Sequence, residues 1–457
     1  MLGLSSKERL TPLDASFLEV ESPTAHMHVG WVVLIRPSAD RDRPTFARIR
    51  NHVESRLWRA PRYRQKLANV PLGVNDPVWI DDPDFDIRNH VLQSRTRRLD
   101  ALVEHTYSRQ LDRNYPLWEM WISDRLEDGR IALAGKVHHC MVDGIAAVEL
   151  AMLLLDFAPE PPADDGEREP WLPSPPPSDL ALLAEGVRDR MAEELSLMRV
   201  PAQIATSPRL LFSFADRARK ATLSFVHSAA PAADSMLNES ISSQRRLGRL
   251  RRPLDDLREI KRRHDATIND VVLAVSSGAL RRFSERAGER PRKLKTMVPV
   301  NVRDGDASEL GNAVSLVFID LPCDEPDPAR RLRGVQLAMS QRKLAGEPLG
   351  ARTLLDSMRY LPHPVQHAFD HRVASPATFN LVVSNVPGPR QPMYMLGCPM
   401  EEAYPVVPLA DRHALSIGFT TVAEDGFFGV HSDRRLVPDP GLIARDIGEE
   451  IDALLGR

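Results

Sequence analysis

The chain of 457 residues is poor in cysteine, with Cys140, Cys323 and Cys398 alone and no CxxC spacing among them. That pattern argues against a disulfide framework and suits a reducing compartment. The opening "MLGLSSKERLTPLD" lacks a long apolar h-region, so no secretory signal is expected. The longest apolar run, "IAAVELAMLLLDFA" (145–158), carries Glu149 and is too short to span a bilayer. Any membrane association is therefore expected to be peripheral. An excess of one charge is also missing: 60 Lys and Arg stand against 63 Asp and Glu. A net charge of −3 gives no global basic field, so nucleic acid is not an expected partner. No GxSxG elbow is present, which disfavours a serine hydrolase. Neither GxGxxG nor a P-loop appears, which disfavours a nucleotide-binding enzyme. No internal repeat of the 20–50-residue kind is found.

What remains is an ordinary globular composition, 42% apolar and 27% charged, on a chain too long for one typical core. The segment "APEPPADDGEREPWLPSPPPSD" (158–179) concentrates proline and acidic residues that neither a helix nor a central strand tolerates. It marks the start of an interdomain connection, and "LALLAEGVRDRMAEELSLMRV" (180–200) after it has helix-forming composition. The expected organisation is an N-terminal subdomain over 1–157, a Pro-rich then helical linker over 158–236, and a C-terminal subdomain over 237–457. Strands are predicted over 28–36, 130–139, 294–303, 312–322 and 378–386, and helices over 43–58 and 266–283. A hairpin is predicted over 414–433, turning near Asp425–Gly426. The fold class is α/β, two layers joined by a long connection.

"KVHHCMVDG" (136–144) is the segment richest in chemistry. Strand alternation puts His139 on one face of the 130–139 strand and His138 on the other. Two rings directed apart cannot grip one ion, HExxH is absent, and zinc needs three or four converging ligands. No metal is expected. A neutral imidazole with a pKa near ~6.5 can instead take a proton from a hydroxyl. Asp143 would fix local geometry and Gly144 would permit a tight backbone path. Plainer readings stand beside these: a lone histidine is usually structural, and an aspartate before a helix is usually its N-cap. Cys140 has no base beside it other than the adjacent histidines and reads as filler.

"HHCMVDG" also resembles the HHxxxDG motif of acyltransferases related to chloramphenicol acetyltransferase and the peptide-synthetase condensation domains. Further segments resemble the bacterial wax ester synthase/acyl-CoA:diacylglycerol acyltransferase family. They are "LTPLDASFLEVESPTAHMHVG" (10–30), the PLW of "PLWEMW" (116–121), the ND of "NDVVLA" (269–274), "SELGN" (308–312) and the NVP of "SNVPGP" (384–389). Each is short; together, in family order from about residue 8 to 440, they are specific.

The resemblance implies two chloramphenicol-acetyltransferase-like subdomains with an active-site channel between them. It implies transfer of a long-chain acyl group from acyl-CoA to diacylglycerol, giving triacylglycerol, with a fatty alcohol (wax ester synthesis) as the alternative acceptor. His139 would be the general base, acting in a ternary complex without an acyl-enzyme, and His138, Asp143 and Gly144 would complete the motif. Arg303 is the candidate partner of Asp143. Asn269, Asp270, Asn312, Ser384 and Asn385 are candidate substrate contacts. Asp270 also reads as the N3 residue of a capping box in "TIND", and "TPLD" (11–14) has the same form and reads as structural. The PLW segment reads as packing. No cofactor is expected beyond acyl-CoA as co-substrate. Diacylglycerol and fatty alcohols live in bilayers, so a cytoplasmic protein at the inner membrane or on lipid inclusions is expected. The basic and aromatic stretch 209–225 is a candidate interfacial segment. A condensation-like enzyme or a catalytically silent lipid-binding homologue are the readings from other classes.

Overall fold

The computed structural model describes residues 8–141, 154–160, 171–205, 231–301, 314–344, 371 and 373–457. The first half opens with α1 (Pro12–Glu19), which Thr11 caps by accepting the Asp14 N–H. β1 (His28–Ile35) follows, then α2 (Phe46–Glu54), which buries Ile49 and Val53. Two short strands, β2 (Gln65–Ala68) and β3 (Val78–Asp81), pair with each other. β4 (Val91–Gln93), α3 (Leu99–Tyr107), β5 (Trp118–Ser123) and β6 (Ile131–His138) complete this half. Of the predicted helix 43–58, the central part is helical, and the chain turns into a short 3₁₀ segment at Leu57–Arg59. The connection carries α4 (Asp179–Ala205). Its buried Leu182 and Gly186 seat it on the first half, where Asn75 donates to the Gly186 carbonyl and Arg9 pairs with Asp189 at 3.0 Å.

The second half begins with β7 (Arg245–Pro253), α5 (Leu254–Arg263) and α6 (Ile268–Arg286). β8 (Leu294–Asn301), β9 (Val314–Leu321) and α7 (Pro328–Leu344) follow. Then come β10 (Leu381–Val386), β11 (Tyr394–Met395), β12 (Cys398–Val406), β13 (Leu415–Val422), β14 (Asp425–Asp433) and α8 (Pro440–Leu455). The predicted hairpin is present, but Asp425 pairs with Val422 and the turn falls on Ala423–Glu424, with Ala423 at φ 50°. The Asp-Gly pair looked like the turn, yet it opens the second strand.

Two six-stranded sheets result, in the orders β11-β12-β1-β6-β5-β4 and β7-β14-β13-β10-β8-β9. The first contains two strands from the second half of the chain: β12 lies antiparallel to β1, with Val32 opposite Tyr404. The segment 237–457 is thus not confined to one layer. Crossing occurs at the "VPGP" bend after β10, where Gly388 is required for space. A Cβ there would lie 1.9 Å from the Thr421 carbonyl oxygen. A second close approach follows from the cross-strand pair Gly418 and Gly429. A Cβ on Gly429 would lie 2.0 Å from the Pro405 oxygen, and one on Gly418 would lie 2.9 Å from the Pro405 ring. Without side chains at those points, β12 can rest on the β13–β14 hairpin while pairing in the other sheet.

The buried apolar side chains form two large clusters, one around the first sheet that also takes in Leu247, Val422 and Phe427 of the second, the other around the second sheet and its helices, with a small third at Phe318, Phe379 and Val382. Between α3 and β7 a polar seam ties the halves. Ser108 accepts the Arg245 backbone N–H, the Arg245 guanidinium donates to the Thr24 and Ser242 carbonyls, and Arg249 pairs with Asp100 at 2.8 Å.

Candidate active site

β6 is buried along its whole length and ends at His138. His139 opens a 3₁₀ turn, His139–Met141, so its direction is set by that turn and not by strand alternation. The His139 backbone N–H donates to the Met27 carbonyl at 2.9 Å. Met27, at a left-handed φ of 48°, leads directly into β1. On its other side the half-buried imidazole stacks on Phe17 of α1, ring centroids 3.8 Å apart and planes 17° from parallel.

His138 has a different environment. It is 1% exposed and stands opposite His28 in the β1–β6 register. The Cys140 N–H donates to its Nδ1 at 3.2 Å, which places the proton of the neutral ring on Nε2. That Nε2 lies 3.7 Å from the Glu21 carboxylate, which is itself gripped by Arg113. Burial, then the charge of Arg113, pushes the His138 pKa down to about 3. His138 is a neutral, buried ring that organises the turn, and its solvent-excluded position does not suit proton exchange with substrate. Burial raises the Cys140 thiol far above its ordinary range, so this cysteine is inert as a nucleophile.

Behind the doublet lie more buried imidazoles. His26, His28 and His138 follow one another with ring centroids 5.4 and 6.2 Å apart, and His431 of β14 sits 5.9 Å from the Tyr107 ring. Lys136 shares this face; its ammonium donates to the Arg109 carbonyl at 2.6 Å and pairs with Glu119 at 3.4 Å. Among the described residues no group of three or more His, Cys, Asp or Glu side chains could hold a metal ion.

In the second half, Asn385 at the end of β10 and Asn269 at the start of α6 meet, with Nδ2 3.5 Å from Oδ1. The ND and NVP segments are thus brought together. Asp270, proposed above as a substrate contact, is placed otherwise: its carboxylate accepts the Thr267 N–H at 2.9 Å and hydroxyl at 2.7 Å. Thr267 in turn caps the Asp270 N–H at 3.1 Å, so both halves of a capping box are present. The geometry assigns Asp270 to the helix start. Ser384 lies in β10 opposite Gly418. In the PLW segment, Leu117 and Trp118 are buried, and the Trp118 indole donates to the Tyr63 carbonyl, a packing role. Asp143, Gly144, Arg303, Asn312 and the 209–225 stretch lie outside the described residues.

Sequence reasoning missed Phe17, Glu21 and His28. The two strands pair so that the H-x-H of "HMH" runs beside the HH doublet, and that clustering of histidines was the available signal.

The fold is shared with solved structures of two-subdomain proteins. A wax ester synthase/diacylglycerol acyltransferase from Marinobacter aquaeolei VT8 superposes with a TM-score of 0.66 at 24% identity, over 98% of each chain. The first condensation domain of the calcium-dependent antibiotic synthetase superposes at 0.59 with 16% identity, over 98% of this chain and 96% of that one. The chain belongs to the wax ester synthase/diacylglycerol acyltransferase family: residues 10–272 match its catalytic domain and residues 310–455 its C-terminal domain. It is 32% identical over 465 residues to the Mycobacterium tuberculosis protein named "Probable diacyglycerol O-acyltransferase tgs1", covering 98% of this chain and 95% of that one. Identity to the tgs2 protein of the same organism is 32%, over 94% of each.

Proposed function

We propose that the protein is an acyl-CoA:diacylglycerol O-acyltransferase in which His139 is the general base. The observation that carries this is the asymmetry of the doublet. His139 is only half buried and is held by a backbone bond to Met27 and by the Phe17 ring, whereas His138 is enclosed and kept neutral. The half-buried imidazole is the one placed to exchange a proton with substrate, while the enclosed one keeps its turn in place.

The acceptor hydroxyl gives its proton to His139 as its oxygen attacks the thioester carbonyl. The C–S bond then breaks, and the imidazolium returns the proton to the departing CoA sulfur. Holding both substrates in a channel between the halves makes the step near-unimolecular, so no acyl-enzyme is needed. Asn269 and Asn385, which meet across the second half, would donate toward the carbonyl oxygen. Fatty alcohol as acceptor, giving wax ester, is the second reading, because the family's description names both activities.

Contact with a lipid surface follows from an acceptor that resides in bilayers. No helix among the described residues is long and apolar enough to cross a membrane. The exposed Leu180, Val187 and Met191 lie on one face of α4 by helical spacing, a stripe suited to resting on a lipid surface.

The deciding assay is thiol release from palmitoyl-CoA with dioleoylglycerol, hexadecanol or no acceptor, run beside His139→Ala. Release should depend on diacylglycerol and fall by about 10²–10⁴-fold in the variant. Dependence on hexadecanol would shift the assignment to wax ester synthesis. Equal release by both proteins would show that His139 is not the base.

A further inference from the structure

The stack between Phe17 and His139 enters the mechanism above only as a support for the ring, and its electrostatics are left unused. Phe17 is no part of a closed core; it is half buried and packs at the edge of the first-half cluster. α1 delivers it, and the helix is fixed at its start by the Thr11–Asp14 cap and at its far end by Glu21, which Arg113 holds. The ring therefore faces the imidazole flat, at 3.8 Å and 17°.

While His139 is neutral, such a stack is ordinary packing. Once the ring takes a proton it becomes a cation over the negative face of an aromatic quadrupole, well within the ~6 Å range of a cation–π contact. That charge exists only between removal of the acceptor's proton and its delivery to the CoA sulfur. An interaction confined to that interval lowers the barrier, whereas one equal in ground and transition states would not.

We propose that Phe17 is a positioning residue that holds the His139 ring plane and stabilises its imidazolium form during acyl transfer. The inference rests on His139 being the base. It gives the N-terminal "LDASFLE" segment a part in the chemistry. The proton passes from the acceptor hydroxyl to His139 and on to sulfur, and Phe17 takes part in no bond.

The test replaces Phe17 in the full chain by 4-fluoro-, 3,5-difluoro- and 3,4,5-trifluorophenylalanine. The series nearly preserves shape and apolar surface while progressively draining the ring quadrupole. With palmitoyl-CoA and dioleoylglycerol, kcat should fall stepwise, by roughly 3- to 30-fold across the series, with KM nearly constant. Phe17→Tyr should retain activity, and Phe17→Leu should fall at least as far as the trifluoro form. A flat kcat across the fluorinated proteins, beside an inactive His139→Ala, would overturn this inference and leave the base in place. Full activity in His139→Ala would overturn the base and, with it, the inference.

Discussion

Five of the six buried histidines among the described residues should make the folded protein vulnerable to mild acid. Burial is the largest cause in each case, lowering His26 and His413 to about 4 and His138 and His431 to about 3, with His28 well below its ordinary value. Arg245 reinforces this at His26 and His431, and Lys136 does so at His28. In the unfolded chain each ring would titrate near ~6.5. The sign follows directly: below that pH the unfolded state binds protons that the folded state refuses, so stability is full above about pH 6.5 and declines as pH falls toward the folded values. At about pH 5 each ring costs about 2 kcal/mol, and five together approach a ceiling of about 10 kcal/mol, comparable with a typical total stability of ~5–15 kcal/mol. At about pH 5.5 unfolding should take up about four to five protons from these rings alone. Urea unfolding followed by tryptophan fluorescence, repeated between about pH 7.5 and 5, measures that slope, since most carboxylates titrate lower, near about 4. Uptake of less than about one proton over this range would refute the picture of buried, neutral imidazoles.

Two further outcomes follow from other parts of the fold. Arg331 and Glu450 are buried and paired between α7 and α8, and the Arg282 Nε also reaches Glu450 at 3.1 Å. Arg331→Ala should cost roughly 3–5 kcal/mol in urea unfolding, nearer the lower figure because Arg282 remains, and a loss under about 1 kcal/mol would contradict a buried, mutually dependent pair. On the exposed apolar stripe of α4 that we propose rests on lipid, Val187→Glu with Met191→Glu should weaken cosedimentation with anionic vesicles while leaving the fold intact. Unchanged sedimentation would rule out that face as the contact.

Much of the fold was legible because periodicity reports which residues share a face. The central parts of β1, β6, β8, β9 and β10 fall where alternation placed them, and α6 starts at the capping box read from "TIND". Sheet membership was not legible. Nothing local in "CPMEEAYPV" says that β12 leaves the second half to pair with β1, because that choice is made by the "VPGP" bend and by space above Gly418 and Gly429. The same limit applied at the site. The Thr11–Asp14 cap was correctly read as structure, but the face of α1 that meets His139 depends on a contact spanning more than a hundred residues. Alternation also extended the strand one residue too far, through His139, where the backbone bond to Met27 belongs to a 3₁₀ turn.

On the proposed mechanism the doublet divides its labour by environment. If His139 is the base, a proton must arrive on it at the height of the reaction, and a positive charge on the adjacent ring would oppose that arrival. Burial keeps His138 neutral, and its Nδ1 is already occupied as an acceptor for the Cys140 N–H. Protonating His138 at Nδ1 would cost that bond and release the turn that carries His139. The nearby Glu21 does not reverse the balance, because Arg113 holds its carboxylate and lends positive charge to the same corner. Two identical side chains, adjacent in sequence, are thus driven to opposite duties: one fixed and uncharged, the other placed against an aromatic face able to receive charge.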